Sequence, residues 1–260
     1  MQTIIDFKDY ENFLIIPPDI SIIENRNFTE LDWENKSFPN LVFKNCTISD
    51  SNFSSANLSG LRLENCRIFN CNFKKARMED AIFKDSIFYE KENQKGCGFN
   101  LADLKRAEFH SCDISMANFE NADMFQVTID NCRAQGCNFK LANFSKVVSR
   151  TIIFSAAYLT NSDFRYSNFE SVCLEKCDLS GSKFVDVIFF RTNLEESNLT
   201  NAVFAPSQYD GLSLFKADLR NTEIRNIDHR KLDLSGIKIL EWQQDFFMES
   251  LGIIVFPNEG

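Results

Sequence analysis

From Phe28 to Phe88, every fifth residue is a large apolar side chain: Phe43, Ile48, Phe53 and Leu58 carry the beat in the first part of the run. It resumes from Phe99 to Phe144 and again from Leu159 to Ile239, and only Ala134, Tyr209 and His229 depart from it. Two positions earlier the residue is small, as at Cys46, Ala56, Cys66, Ala76 and Ala117, and the residue between is often Asn or Asp, as at Asn52, Asn57, Asn72, Asp103 and Asn118. The unit is small, Asn/Asp, large apolar, polar, polar. A period of five fits neither a helix at 3.6 nor a flat strand at 2. If each unit turns the chain by a quarter, about twenty residues close one square coil with both the small and the large apolar side chains inside. Stacked at the inter-strand spacing, the units predict about ten coils, a rod of roughly 48 Å. The fold class is an all-β solenoid in which each coil buries itself against its neighbours.

Nine cysteines suggest disulfides or zinc until they are placed on this frame. Cys46, Cys66, Cys71, Cys97, Cys112, Cys132, Cys137 and Cys177 all occupy the small inward position, and Cys173 alone does not. A free cysteine packs as a small hydrophobe, so the pattern reads as core and fits a reducing compartment. The net charge is −9, with a pI near 4.9. That excludes a basic nucleic-acid footprint and leaves a basic partner or plain solubility. Spread over roughly 48 Å, the charge falls well short of duplex DNA at about one per 1.7 Å. No run reaches the roughly 18 apolar residues of a membrane span. The first twenty residues lack a basic segment and a small-residue cleavage site, so the expected location is cytoplasmic.

Two excursions interrupt the beat. Tyr89–Gly96 carries Glu90, Lys91, Glu92 and Lys95; Ser145–Ala156, "SKVVSRTIIFSA", carries Lys146 and Arg150 and no acid. Both return the chain to register. As tolerated surface insertions they would need no function. The second, however, is basic on an acidic rod and holds Val147, Val148, Ile152, Ile153 and Phe154 without a clear role in the coil. Exposed apolar residues beside charge suggest an anchor for a partner.

Both ends abandon the repeat. Pro17 and Pro18 mark entry into the rod, and residues 1–25 are expected to cap it, since an open solenoid end exposes unpaired strand amides. "FKDYENFLII" suits a short helix or an added strand equally. The coils are expected over 26–240. In 241–260, Trp242 and Phe246 sit four apart, as do Phe247 and Leu251, and Gly252 can close a helix at C′. The segment reads as a cap on the last coil.

The five-residue unit resembles the pentapeptide-repeat family, with consensus A(D/N)LXX, over about residues 26–240. Non-repeat segments are similar to the Qnr quinolone-resistance group within it: "NQKGC" (93–97), "SCDISMA" (111–117), "CRAQG" (132–136), "AAY" (156–158), "CLEKC" (173–177) and "MESLGI" (248–253). The resemblance implies a right-handed quadrilateral β-helix of about ten coils, with two loop insertions and a C-terminal helix. It also implies a homodimer that binds the type II topoisomerases DNA gyrase and topoisomerase IV and protects them from fluoroquinolones. On that basis the candidate partner-binding residues are Tyr89, Glu90, Lys91, Glu92, Gln94 and Lys95 in the first insert, and Lys146, Arg150, Ile153 and Phe154 in the second. The candidate dimer residues are Trp242, Phe246, Phe247, Met248 and Leu251. DNA mimicry by the acidic body would require acids gathered on one face; contact through the inserts would not.

The sequence contains no nucleophile elbow, P-loop, dinucleotide fingerprint or paired-His metal motif. His110 follows an inward Phe and should point outward, whereas His229 takes an inward position as a structural residue. The expectation is a binding protein with no enzymatic activity, no cofactor, no metal, no membrane and no direct nucleic-acid contact. Its rival is a pentapeptide-repeat scaffold that has inserts but no topoisomerase activity.

Overall fold

A computed structural model describes residues 22–149, 152–225, 227–254 and 256. The expected N-terminal cap therefore lies outside the described residues up to residue 21. The chain forms a β-solenoid of about ten turns with one C-terminal helix. On one face, three-residue strands such as Ile22–Glu24, Val42–Lys44, Arg62–Glu64 and Ile82–Lys84 pair in parallel, extending to Tyr158–Thr160 as a seven-stranded ribbon. The others pair the same way, through short strands or through single bridges such as Asp32 to Asn52, Asn52 to Asn72 and Asn72 to Gly98. Among the described residues the inward register reaches back one unit before Phe28, because Ile23 pairs with Phe43 and is itself buried.

The consensus has a local cause. Where the residue before the large one is Asn or Asp, its side chain accepts the backbone N–H two positions on, as Asn72 Oδ1 does from Lys74 (3.1 Å) and Asn118 Oδ1 from Glu120 (3.0 Å). This Asx turn helps bend the chain at those corners. The second polar position of the unit then takes a positive φ, from Asn25 at 54° to Asn221 at 60°. The residues there are mostly Asn, Asp, Ser, Gly, Lys or Arg, and no described one is Val, Ile or Thr. β-branched side chains are the ones this conformation excludes.

Inside, the large residues form ladders. Phe53, Phe73, Phe99, Phe119, Phe139, Phe169 and Phe189 stack along one face with ring centroids 4.7–5.5 Å apart. The stack runs unbroken from Phe73 to Phe99 across the first insert and from Phe139 to Phe169 across the second. The core is therefore indifferent to both. The inward small position satisfies polar atoms locally: Ser182 Oγ donates to Leu159 O (2.8 Å), Thr192 Oγ1 to Phe169 O (2.7 Å), and Cys137 Sγ to Ile114 O (3.0 Å). All nine cysteines are free, eight are buried, and Cys173 is half-buried. Burial pushes the Cys177 thiol up to about 12, as expected for a packing residue.

The last coil is closed by a 3₁₀ turn, Glu241–Gln243, and a helix, Gln244–Ser250. Gly252, at φ +76°, donates to Glu249 O, and Ile253 donates to Met248 O. That pair of bonds is the Schellman motif at a C′ glycine. Gln243 is buried and stands in for a missing coil. Its Nε2 donates to Leu219 O (2.8 Å) and Thr222 O (3.0 Å), and its Oε1 accepts from the N–H groups of Asn221 and Leu240. The rings of Phe246 and Phe247 pack on His229 at 4.9 and 4.7 Å. Burial lowers the His229 pKa below its ordinary value, with Asp228 pulling weakly the other way. The native imidazole thus stays neutral where that of the unfolded chain, near pH 6.5, already binds a proton. Its contribution to stability is present above that pH and is lost as pH falls through the depressed native value. The melting temperature should drop between pH 7.5 and 5.5, and His229→Gln should flatten that dependence; an equal slope in the variant would remove His229 from the cause.

Candidate partner-binding hairpins

Both excursions are β-hairpins. In the first, Tyr89–Glu90 pairs antiparallel with Lys95–Gly96, and Asn93 Nδ2 donates to the Glu90 carboxylate at 2.7 Å. Lys91, Glu92, Gln94 and Lys95 are exposed, while Tyr89 and Glu90 are half-buried at its base. Gly96 explains how it is held. A Cβ there would lie 2.3 Å from Met116 C and 2.4 Å from Ala117 N, so only glycine lets the return strand lie on the next coil. Gly96→Ala should displace the first hairpin while leaving the Phe ladder intact. Faster cleavage by trypsin at Lys91 or Lys95 with unchanged circular dichroism would register this; an unchanged digestion rate would contradict it.

In the second, Ser145–Ser149 pairs with Ile152–Ser155, with a register irregularity between Val147 and Ser149. Lys146 is exposed. Arg150 and the side chain of Ile153 lie outside what is described. Phe154 is 48% exposed, because its ring packs edge-on against Phe125 at 6.0 Å. It is in part a foot of the hairpin as well as a candidate anchor. The coil resumes at Ala156, whose carbonyl accepts the Gln126 N–H at 2.7 Å.

The two hairpins leave the rod at diagonally opposite corners. The first lies between the Phe88 and Phe99 faces, the second between the Phe144 and Leu159 faces, two and a half turns on, about 12 Å along the axis. Charge is interleaved along the rod. Lys44 pairs with Glu64, Arg106 with Asp80, Lys140 with Glu170 and Arg165 with Asp163, and Lys105 sits among Asp103, Glu79 and Asp123. Among the described residues, no group of His, Cys, Asp and Glu is placed to hold a metal ion, and no helix is long and apolar enough to cross a membrane.

At the C-terminus the candidate dimer residues divide. Phe246 and Phe247 are half-buried against the last coil, whereas Trp242 (61%), Leu251 (54%) and Met248 (37%) are exposed, together with Ile253 and Ile254. Trp242 lies in the 3₁₀ turn, so the four-residue spacing to Phe246 does not put both on one helical face.

Comparison with known proteins follows this geometry. The pentapeptide-repeats family matches in eight copies over residues 46–85, 95–126 and 152–181, and the match breaks at the first hairpin. Full-length QnrB1, a plasmid-mediated fluoroquinolone resistance protein of known structure, is 31% identical at a TM-score of 0.74, over 88% of this chain and all of that one. The chain belongs to the Qnr-type pentapeptide-repeat proteins. Two curated relatives of this Qnr-type chain are QnrB4 of Escherichia coli and QnrB96 of Scandinavium goeteborgense. Each is 53% identical over 47 residues, 18% of this chain, so the matched part spans about a fifth (22%) of their length.

Proposed function

We propose that this chain confers quinolone resistance by binding DNA gyrase and topoisomerase IV through its two hairpins and relieving their inhibition by fluoroquinolones. The observation that carries this reading is the relation to QnrB1 over the whole of that fluoroquinolone resistance protein. The hairpins suit the role: they stand outside the stacked ladder, which continues unbroken across both. Loop contact is favoured over DNA mimicry, because the acids of the body are interleaved with Lys and Arg and many are paired. The protein acts by binding, without catalysis, in the cytoplasm. The direct test is gyrase supercoiling in the presence of ciprofloxacin. Adding the protein should restore supercoiling, and no recovery at any concentration would leave the scaffold reading in its place.

The working form is a homodimer through the C-terminal segment. Trp242, Met248, Leu251, Ile253 and Ile254 are exposed large apolar residues within thirteen positions at the cap, the raw material a self-complementary two-fold interface needs. Removing residues 244–260 should yield a monomer or an aggregate by sedimentation. An intact dimer would place the interface elsewhere.

A further inference from the structure

Phe125 occupies the first outward position of its unit, where neighbouring coils carry Lys105, Ser145 and Glu175. Three other phenylalanines point outward in the same way, and each lies under a cation: Arg67 on Phe69 (5.1 Å), Arg191 on Phe190 (4.9 Å) and Lys216 on Phe215 (4.8 Å). Phe125 is different. It is only 7% exposed, and its cover is Phe154, from the return strand of the second hairpin. Three further contacts meet at the same spot. Gln126 N–H donates to Ala156 O, Ala156 N–H donates to Phe144 O (3.1 Å), and Ser155, itself buried, places its Oγ 3.6 Å from Cys173 Sγ. Cys173 is the one cysteine outside the inward slot. Phe125, in the coil before the insert, and Cys173, in the coil after it, thus touch the same strand at successive residues, Phe154 and Ser155.

We propose that Phe125, assisted by Cys173 at the next residue of the strand, is the positioning residue of the second hairpin: it holds the hairpin in a fixed attitude to the rod so that its tip meets the partner already oriented. This rests on the reading that the hairpin contacts a topoisomerase. Pre-ordering a contact loop removes the cost of ordering it on binding. A hairpin joined to the rod by backbone alone would keep its residues but lose that advantage.

The experiment compares the full-length parent, Phe125→Ala, Phe125→Leu and a control, Phe190→Ala, by trypsin cleavage at Lys146 and Arg150 and by protection of gyrase supercoiling from ciprofloxacin. Local opening governs such cleavage when opening is fast. Loss of an aromatic pair with its buried area should accelerate it about tenfold in Phe125→Ala at unchanged circular dichroism. Phe125→Leu should restore most of the parent's resistance to trypsin, and Phe190→Ala should match the parent. Phe154→Ala is read by trypsin alone, since that ring also faces outward; it should match Phe125→Ala without any risk to the coils. Protection should fall in Phe125→Ala and recover in Phe125→Leu. Cleavage at the parent's rate in both alanine variants would overturn the anchoring. Faster cleavage with undiminished protection would overturn its functional part. If the parent itself fails to protect gyrase, the proposed function falls, and the trypsin rates alone decide whether Phe125 anchors the hairpin.

Discussion

Phe119→Asp should lower the melting temperature by at least about 10 °C, whereas Glu120→Gln, one residue away, should leave it within a degree or two. Phe119 is fully buried and stacked between Phe99 and Phe139, each 5.0 Å distant. Emptying such a site costs about 3–5 kcal/mol. The aspartate adds the desolvation of a carboxylate, because the rings above and below it donate no hydrogen bonds. At 2–4 °C per kcal/mol for a chain of this size, the truncation term alone reaches about 10 °C. Glu120 is at the outward corner, where surface changes stay within about 0.5 kcal/mol. The position of the lesion matters too. A solenoid transmits stability only between neighbours, so a break at Phe119 separates the coils bearing the first hairpin from those bearing the second. Equal melting temperatures for the two variants would overturn the inward register on which the fold rests.

That register was legible because a side chain buried every five residues leaves a mark that no helix or strand makes. The same frame sorted the cysteines: eight in the small inward slot and Cys173 outside it, which the structure then places at the foot of the second hairpin. Gly252 was readable as a helix stop because positive φ at C′ selects glycine. Other features left weaker marks. A paired strand is already present at Ile22–Glu24, but Ile23 is a single apolar residue among others near Pro17 and Pro18 and cannot announce a register alone. The inserts read as loops, since strands as short as Tyr89–Glu90 are too brief to show alternation. Gln243 looks like any polar helix residue; its capping role depends on the unpaired carbonyls of Leu219 and Thr222, which exist only because the coils end there. Phe125 was visible as an outward Phe in the sequence, yet its reason lies in a residue 29 positions later. Of the candidate site, then, the sequence marked where the inserts are and which charges they carry. It did not mark how they are held or that they leave at opposite corners.

Removing residues 146–155 should abolish protection of gyrase from a fluoroquinolone while leaving the far-ultraviolet circular dichroism nearly unchanged. The join is set by the register. It brings Phe144 and Leu159 back to a five-residue step and leaves Ala157, a buried small residue, in the slot two positions before Leu159. The Gln126 N–H, which meets Ala156 O with the insert present, then falls opposite Ser145 O, the pairing neighbouring coils make, as from Arg106 to Phe125 and from Lys176 to Glu195. Neighbour-only coupling in a solenoid predicts that such an excision is local, and the continuous stack from Phe139 to Phe169 supports it. Removing residues 90–95 restores the same step between Phe88 and Phe99, keeps Cys97 in the inward slot, and should weaken protection without abolishing it. The asymmetry follows from chemistry: the second hairpin combines Lys146 and Arg150 with Ile153 and Phe154 and carries no acid, whereas the first balances Glu90 and Glu92 against Lys91 and Lys95. The diagonal placement sharpens the test, since a partner lying flat on one side of the rod cannot use both hairpins of one chain. If the folded variant lacking 146–155 protects as well as the parent, the hairpin mechanism is wrong. The body would then have to carry the function with acids already interleaved with lysine and arginine, a poor imitation of a phosphate backbone.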